Sequence, residues 1–211
     1  MQDPSALEPP VWAVLDDYEV RASREQELFE RLTPEELSRR RDELLLPVGR
    51  ATGQLMNLLI KGHRARRILE VGSSYGYSAV WLAEAARAVE GRVTSLELHV
   101  EKTEYARTQL ARAALEGYVR FEIGDALASL QRLPGPFDFV LIDLWKDMYV
   151  PVFAALYPKL APGALIVADN MLEPASARAH AEAYRARVRE APDMTSVLLA
   201  VGNGIELSRY R

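Results

Sequence analysis

Three groups of side chains in this 211-residue chain have types and spacings that could do chemistry. The first lies in Ile68-Leu69-Glu70-Val71-Gly72-Ser73-Ser74-Tyr75-Gly76-Tyr77-Ser78, an apolar run, a glycine turn and the start of a helix. Such a turn leaves backbone N–H groups at a helix N-terminus, where a carboxylate or phosphate can sit. Gly72 has no Cβ to hold a ligand off the backbone. Glu70 is either a half-exposed strand residue or an acceptor for a cationic or N–H-rich ligand group. The second group follows. Glu97 ends the run 92–97, where its carboxylate can accept both hydroxyls of a ribose, and Gly124-Asp125-Ala126 follows the next run. Asp125 can accept from an exocyclic adenine amine or cap the helix after it. The third group is a set of hard oxygen donors: Asp143 after the run 139–142, and Asp169-Asn170 after 165–168. Two carboxylates and an amide oxygen, without His or Cys, suit magnesium or calcium. Asp and Asn also serve caps and turns; with both pieces at neighbouring strand ends, metal binding is the favoured reading.

Two residues beside Asp143 add to this. Lys146 stands one helical turn beyond it, and a lysine held near a cation and away from water gives up its proton more readily, so it can act as a base. The alternative is a solvated surface lysine. Trp145 can wall a flat adenine or aromatic substrate, or simply pack in the core. The glycine spacing, Gly72-x-x-x-Gly76, differs from the G-x-G-x-x-G of dinucleotide sites. It favours a nucleoside ligand without phosphates over NAD.

These groups can meet only if the segments between them alternate strand and helix. Strands are predicted near 67–71, 92–97, 118–123, 137–142 and 163–168, with helices near 76–88, 100–116, 125–132, 148–159 and 174–190. That alternation calls for an α/β fold, a mostly parallel, Rossmann-like sheet with helices on both faces. The runs 194–201 and 205–210 flank Gly202-Asn203-Gly204 and predict an antiparallel hairpin that completes seven strands. In open sheets of this kind, ligands bind beyond the carboxyl ends of the strands, where strand order reverses. Upstream, residues 1–10 look like a frayed lead-in and 11–20 a helix. Thr33-Pro34-Glu35-Glu36 has the form of a capping box, and 50–61 carries Leu55, Met56, Leu58 and Leu59 at helical spacing. We expect a single domain, with 1–62 as a helical cover that roofs the site and 63–211 as the core.

Composition narrows the class. Hydrophobic residues make up 49% and charged residues 27%, which is globular. A net charge of −4 argues against nucleic acid as the main partner. With no cysteine and three histidines at no metal-binding spacing, thiolate zinc sites and cysteine nucleophiles are excluded. No apolar run approaches a membrane span, and the acidic, proline-bearing residues 1–10 do not have the basic-then-apolar form of a signal peptide, so none is expected there. We expect a cytoplasmic homodimer that acts on a small molecule, with no membrane partner.

The motifs resemble those of the metal-dependent, S-adenosylmethionine-dependent O-methyltransferases of the catechol and caffeoyl-CoA type. Leu69-Glu70-Val71-Gly72 with Gly76-Tyr77-Ser78 is similar to their glycine motif, Ile142-Asp143-Leu144-Trp145-Lys146-Asp147-Met148-Tyr149 to the catechol enzyme's aspartate-tryptophan-lysine stretch, and Ala168-Asp169-Asn170 to the second metal motif. The resemblance covers roughly 45–211. It implies a class I methyltransferase sheet and in-line methyl transfer from the sulfonium to an oxygen. It also implies roles: Glu70, Gly72 and Ser78 on the methionine part of the cofactor, with Ser74, Gly76 and Tyr77 in the same turn. Glu97 and Leu98 would take the ribose side, and Asp125-Ala126 and Trp145 the adenine side. Asp143, also beside the cofactor, would bind Mg2+ with Asp169 and Asn170. Lys146 would be the base, with Asn170 and Pro174 touching a phenolic substrate. Leu144 replaces a histidine of the catechol enzyme and Ser74 a tyrosine. The run 194–198 lacks the acid that would hold a second hydroxyl, and 171–174 lacks the tryptophan–glycine pair of the caffeoyl-CoA branch. An NAD-linked dehydrogenase and a non-catalytic cofactor binder are the competing classes; the first is disfavoured by the glycine spacing, the second by the joint presence of Asp143, Lys146, Asp169 and Asn170.

Overall fold

The computed structural model describes residues 7–29, 31, 33, 36 and 39–211. Its centre is a seven-stranded sheet in the order β3-β2-β1-β4-β5-β7-β6. The strands are β1 (Arg67–Val71), β2 (Arg92–Glu97), β3 (Val119–Ile123), β4 (Phe137–Ile142), β5 (Leu160–Ala168), β6 (Met194–Leu199) and β7 (Ile205–Tyr210). β1 to β5 pair in parallel, and β7 runs antiparallel to both β5 and β6. The middle strands are buried on both faces, which is why their sequences are nearly continuous apolar runs. Strand order reverses between β1 and β4, where Val71 pairs with Ile142. Ligand clefts of open α/β sheets form at that point.

Helices α1 (Pro9–Phe29), α2 (Arg50–His63), α3 (Tyr77–Ala88) and α4 (Val100–Arg112) contribute to the core on one face. Helices α5 (Ala126–Arg132), α6 (Tyr149–Leu156) and α7 (Arg178–Glu190) contribute to the core on the other. α2 is fixed to α3 by buried polar contacts: Asn57 donates to the Trp81 carbonyl (3.0 Å) and to Glu84 (2.5 Å), and Lys61 pairs with Glu84 at 2.7 Å. α1 is fixed to the glycine turn. The Tyr18 hydroxyl donates to the Tyr75 carbonyl at 2.5 Å, and the Tyr77 hydroxyl to Glu19 at 2.9 Å.

Several predicted boundaries move. The N-terminal lead-in is not frayed at residues 7–10, because Leu7 is buried and α1 begins at Pro9 and runs on to Phe29. Prolines suit a first turn, where no N–H bond is lost. The helix predicted to 116 stops at Arg112, since Ala114 turns left-handed and Leu115 folds back into the core. The helix predicted from 174 starts at Arg178, after a single 3-10 turn at Ala175–Ala177. The helix predicted for 148–159 ends at Leu156 and continues as a 3-10 turn. The capping box forms: the Thr33 amide donates to Glu36 (2.9 Å) and the Glu36 amide to the Thr33 hydroxyl (3.3 Å). Its Pro34 lies outside the described residues. At the far end, Met171 and Leu172 donate to the carbonyls of Gly204 and Asn203, so the β6–β7 turn holds the segment that follows Asn170.

Candidate active site

Side chains alternate between the two faces of a strand. Ile68, Val93, Phe139, Leu141 and Val167 belong to the α1–α4 side, and Leu69, Leu96, Val140, Ile142 and Ala168 to the α5–α7 side. Counting on by twos brings Glu70, Glu97, Asp143 and Asp169 to the α1–α4 side, at the carboxyl ends of β1, β2, β4 and β5. The charges of Asp143 and Glu97 both act on Glu70, and that of Asp143 on Asp169. Four acids therefore surround the point where strand order reverses.

The glycine turn is built differently from the sequence expectation. Gly72 and Ser73 donate their amides to the Leu96 carbonyl (3.0 and 3.3 Å), Ser74 donates to Glu97 (2.8 Å) and Gly76 to the Ser73 carbonyl (2.8 Å). These four N–H groups are committed within the protein, that of Ser74 to the Glu97 carboxylate, and none of the four is left for a ligand. Gly72 has φ +93°, and a Cβ there would lie 2.2 Å from the Asp143 carbonyl oxygen. Its glycine is required so that the β1 and β4 loops can touch. Gly76, also at φ +93°, would set a Cβ 2.5 Å from that of Ala106, so it lets α3 lie against α4. Ser74 takes a left-handed φ of 48° that points its amide at Glu97. The Glu97 carboxylate accepts from Ser74 on one oxygen and from the His99 amide (3.0 Å) on the other. It is thus aimed before any ligand arrives.

Glu70 is fully buried, not half-exposed. Oε2 accepts from the Ser95 hydroxyl at 2.5 Å, and Oε1 has no hydrogen-bond partner. Burial pushes its carboxyl up to about 7; the nearby hydroxyls of Ser78 and Ser95 oppose this, and the Asp143 and Glu97 charges add to it. A folded-state pKa above the unfolded value means stability that is present below about 4.5 and lost as pH rises through about 7. Glu70→Gln should therefore stabilise the ligand-free protein at pH 8, by on the order of 3 kcal/mol, and make little difference at pH 4.5. Melting temperatures of both forms across that range test this; a constant offset between them would mean that Glu70 is not the titrating group.

On the β4 side, Lys146 opens a 3-10 turn at Lys146–Met148, and its side chain is only 14% exposed. It is not a solvated surface lysine. Nζ donates to Asp143 Oδ1 (3.4 Å), to the Leu144 carbonyl (3.2 Å) and to the Tyr149 hydroxyl (2.5 Å). Asp169 is buried, and its Oδ1 lacks a partner. Burial, then the Asp143 charge, raise its carboxyl to about 8. Burial likewise raises Asp143, with Lys146 opposing. A buried Asp169 with an unpartnered oxygen, beside a partly buried Asp143, fits a hard cation, whose charge would relieve the cost to both. Among the described residues no group of three or more His, Cys, Asp or Glu side chains could hold a metal ion, so a site here needs Asn170 as its third protein donor. Asn170 follows Asp169 directly with a left-handed φ of 57°.

The remaining candidates divide. Asp125 caps α5, its Oδ1 accepting from the Ala128 amide at 2.8 Å, with Ala126 as the first helical residue. Leu98 is 62% exposed and Trp145 42% exposed, so Trp145 is not a core residue. Pro174 is exposed at the entrance to the turn before α7. Ser78 is buried beside Glu70. The Tyr77 side chain is engaged with α1 through Glu19 and Tyr18, which leaves its backbone to the turn. Tyr149 was not singled out by its sequence, although its i+3 spacing from Lys146 was a signal. Ser73, whose buried hydroxyl has no partner, was likewise passed over inside the glycine turn.

A sheet in this order, with β7 alone reversed and acids at the ends of β1, β2, β4 and β5, is that of a class I methyltransferase. The O-methyltransferase family model matches residues 19–211, and the chain belongs to that family. It is 38% identical over 128 residues to a catechol O-methyltransferase of Mycobacterium tuberculosis, a match that covers 60% of this chain and 58% of that one. It is 30% identical over 178 residues to caffeoyl-CoA O-methyltransferase 2 of Populus trichocarpa, covering 74% of this chain and 72% of that one. Among solved structures, the O-methyltransferase from Bacillus cereus in complex with SAH has a TM-score of 0.76 at 25% identity, covering 98% of this chain and 92% of that one. The Streptomyces achromogenes O-methyltransferase involved in tomaymycin synthesis, in complex with SAM, has a TM-score of 0.74 at 26% identity, covering 97% and 91%. Among the described residues, no helix is long and apolar enough to cross a membrane.

Proposed function

We propose that the protein transfers the methyl group of S-adenosylmethionine to a hydroxyl of a small phenolic acceptor with two neighbouring oxygens, chelated by a divalent cation. The observation that carries this reading is the convergence of Asp143, Asp169 and Lys146 on the sheet face and edge that also hold Glu70 and Glu97. Glu70 and Glu97 would take the cofactor, Glu97 through the ribose hydroxyls and Glu70 on the methionine side of the glycine turn. A bound cation, held by Asp143, Asp169 and Asn170, would fix the acceptor and lower the pKa of its reacting hydroxyl. Lys146 in its neutral amine form would receive the hydroxyl proton on Nζ as the oxygen attacks the methyl carbon, becoming the ammonium; the carbon–sulfur bond breaks, and its electron pair stays on sulfur. Asn170 and Pro174 would border the acceptor, and Trp145 the adenine side of the cofactor. The test is a methyl-transfer screen over vicinal diphenols, flavonoids and acyl-CoA phenols, with and without EDTA. Turnover on none of them, or equal turnover in both conditions, would overturn the reading.

The cofactor assignment has its own check. Each charged hydrogen bond lost is worth about 1.5–3 kcal/mol, so Glu97→Ala should weaken S-adenosylmethionine binding at least tenfold in titration calorimetry. Glu97→Gln, which keeps one acceptor for the turn's amides, should weaken it less. Unchanged affinity in the Ala variant would remove Glu97 from the cofactor site.

A further inference from the structure

Tyr149 is the first residue of α6 and is fully buried, its ring edge-to-face with Tyr184 at 5.5 Å. Its hydroxyl stands between the two loops that carry the acids. On one side it accepts from Lys146 Nζ at 2.5 Å, and on the other it donates to the Asp169 backbone carbonyl at 3.1 Å. A phenol has one proton. With that proton committed to Asp169, the oxygen faces Lys146 only as an acceptor.

Of the three acceptors around Nζ, the Tyr149 hydroxyl is the nearest; the Leu144 carbonyl and Asp143 Oδ1 lie at 3.2 and 3.4 Å. Lysine is a flexible four-carbon arm with rotatable donors, so its head needs an external anchor to hold one position. Leu144 and Asp143 belong to the same β4 loop as Lys146 and would move with it. Among the described residues, it is Tyr149 that ties Nζ across to the β5 loop, through the residue that precedes Asn170.

We infer that Tyr149 is a positioning residue for Lys146: its buried hydroxyl, fixed by the Asp169 carbonyl, sets where Nζ stands relative to the acceptor. The inference rests on the reading of Lys146 as the base. It makes the Lys146–Tyr149 pair one unit, while cofactor binding stays with Glu70 and Glu97 on the far side of the switch point.

The experiment is a double-mutant cycle of Tyr149→Phe and Lys146→Met in the full chain, with a catechol acceptor and magnesium. Misplacing a reacting group by about 1 Å can cost on the order of 10²-fold, so Tyr149→Phe alone should lower kcat ten- to a hundredfold. Acceptor KM and S-adenosylmethionine affinity should change little. In the Lys146→Met background the same substitution should cost nothing more, because groups that act as one unit are non-additive. Full kcat in Tyr149→Phe beside a slow Lys146→Met overturns the inference and leaves the base reading standing. Equal losses in both backgrounds also overturn it, since they mark a structural role for the hydroxyl. Normal kcat in Lys146→Met removes the base reading and the inference with it.

Discussion

Replacing Lys146 with methionine should lower kcat by about 10²–10⁴ and leave the affinity for S-adenosylmethionine almost unchanged, the range that general-base help supplies. An ordinary phenol ionises near 10, so little of it is anionic at neutral pH. Methyl transfer consumes an oxygen lone pair, and the proton must leave at or before that step. Among the described residues, Lys146 is the basic side chain that reaches Asp143, and its head is held by acceptors on three sides. Glu70 and Glu97, the residues assigned to the cofactor, make no hydrogen bond to it. Lys146→Arg separates charge from proton transfer, because a guanidinium keeps its charge at every relevant pH and cannot act as a base. If only the charge mattered, the Arg variant would recover most of the rate; as a base site, it should remain nearly as slow as Met. The measurement is kcat against pH for the three forms. Near-normal kcat in the Met variant with an unaltered pH profile would leave proton removal to solvent.

Much of this site was legible because it obeys the simplest rule of a β-strand. Glu70, Asp143 and Asp169 each fall two residues beyond an apolar residue of the same face, Glu97 falls four beyond Val93, and the strands are central enough that their apolar residues fix register. Once strand–helix alternation is granted, the acids converge without further information. The glycine turn was less legible. Glycine spacing says where a Cβ is forbidden, and not by what: at Gly72 the obstacle is the Asp143 backbone, and at Gly76 it is Ala106, both distant in sequence. The same limit applies to Tyr77, whose hydroxyl answers to Glu19 on a helix 58 residues earlier in the chain. The length of α1 was hidden because its amphipathic pattern is weak and its burial is decided by the turn it covers. Tyr149 was hidden because its role depends on Asp169, twenty residues on.

If the proposed chelate holds, removal of the cation should be nearly as damaging as the Lys146 substitution, and it carries a pH signature that a substrate effect cannot imitate. Without a cation, the Asp169 carboxyl is raised to about 8 by burial and by the charge of Asp143. The sign follows from linkage. A carboxyl whose folded value exceeds its unfolded value near 3.8 lends full stability only below that value, and the protein loses stability as pH rises toward 8. A cation that binds the ionised pair reverses this loss. Magnesium should therefore raise the melting temperature of the cofactor-free protein strongly at pH 8 and weakly at pH 5, where proton and cation compete for the same oxygens. Asp169→Asn removes one charge and its titration. It should flatten the pH dependence, abolish most of the magnesium shift and, since Lewis-acid stabilisation is worth several kcal/mol, lower kcat by on the order of 10²–10³. The two readouts separate the causes. A magnesium shift that persists in Asp169→Asn moves the cation elsewhere, whereas a lost shift with full activity leaves a bound ion without a catalytic task. Activity in EDTA-treated wild type equal to that with magnesium would end the chelate reading, and Asp143 and Asp169 would then be acids that serve the cofactor alone.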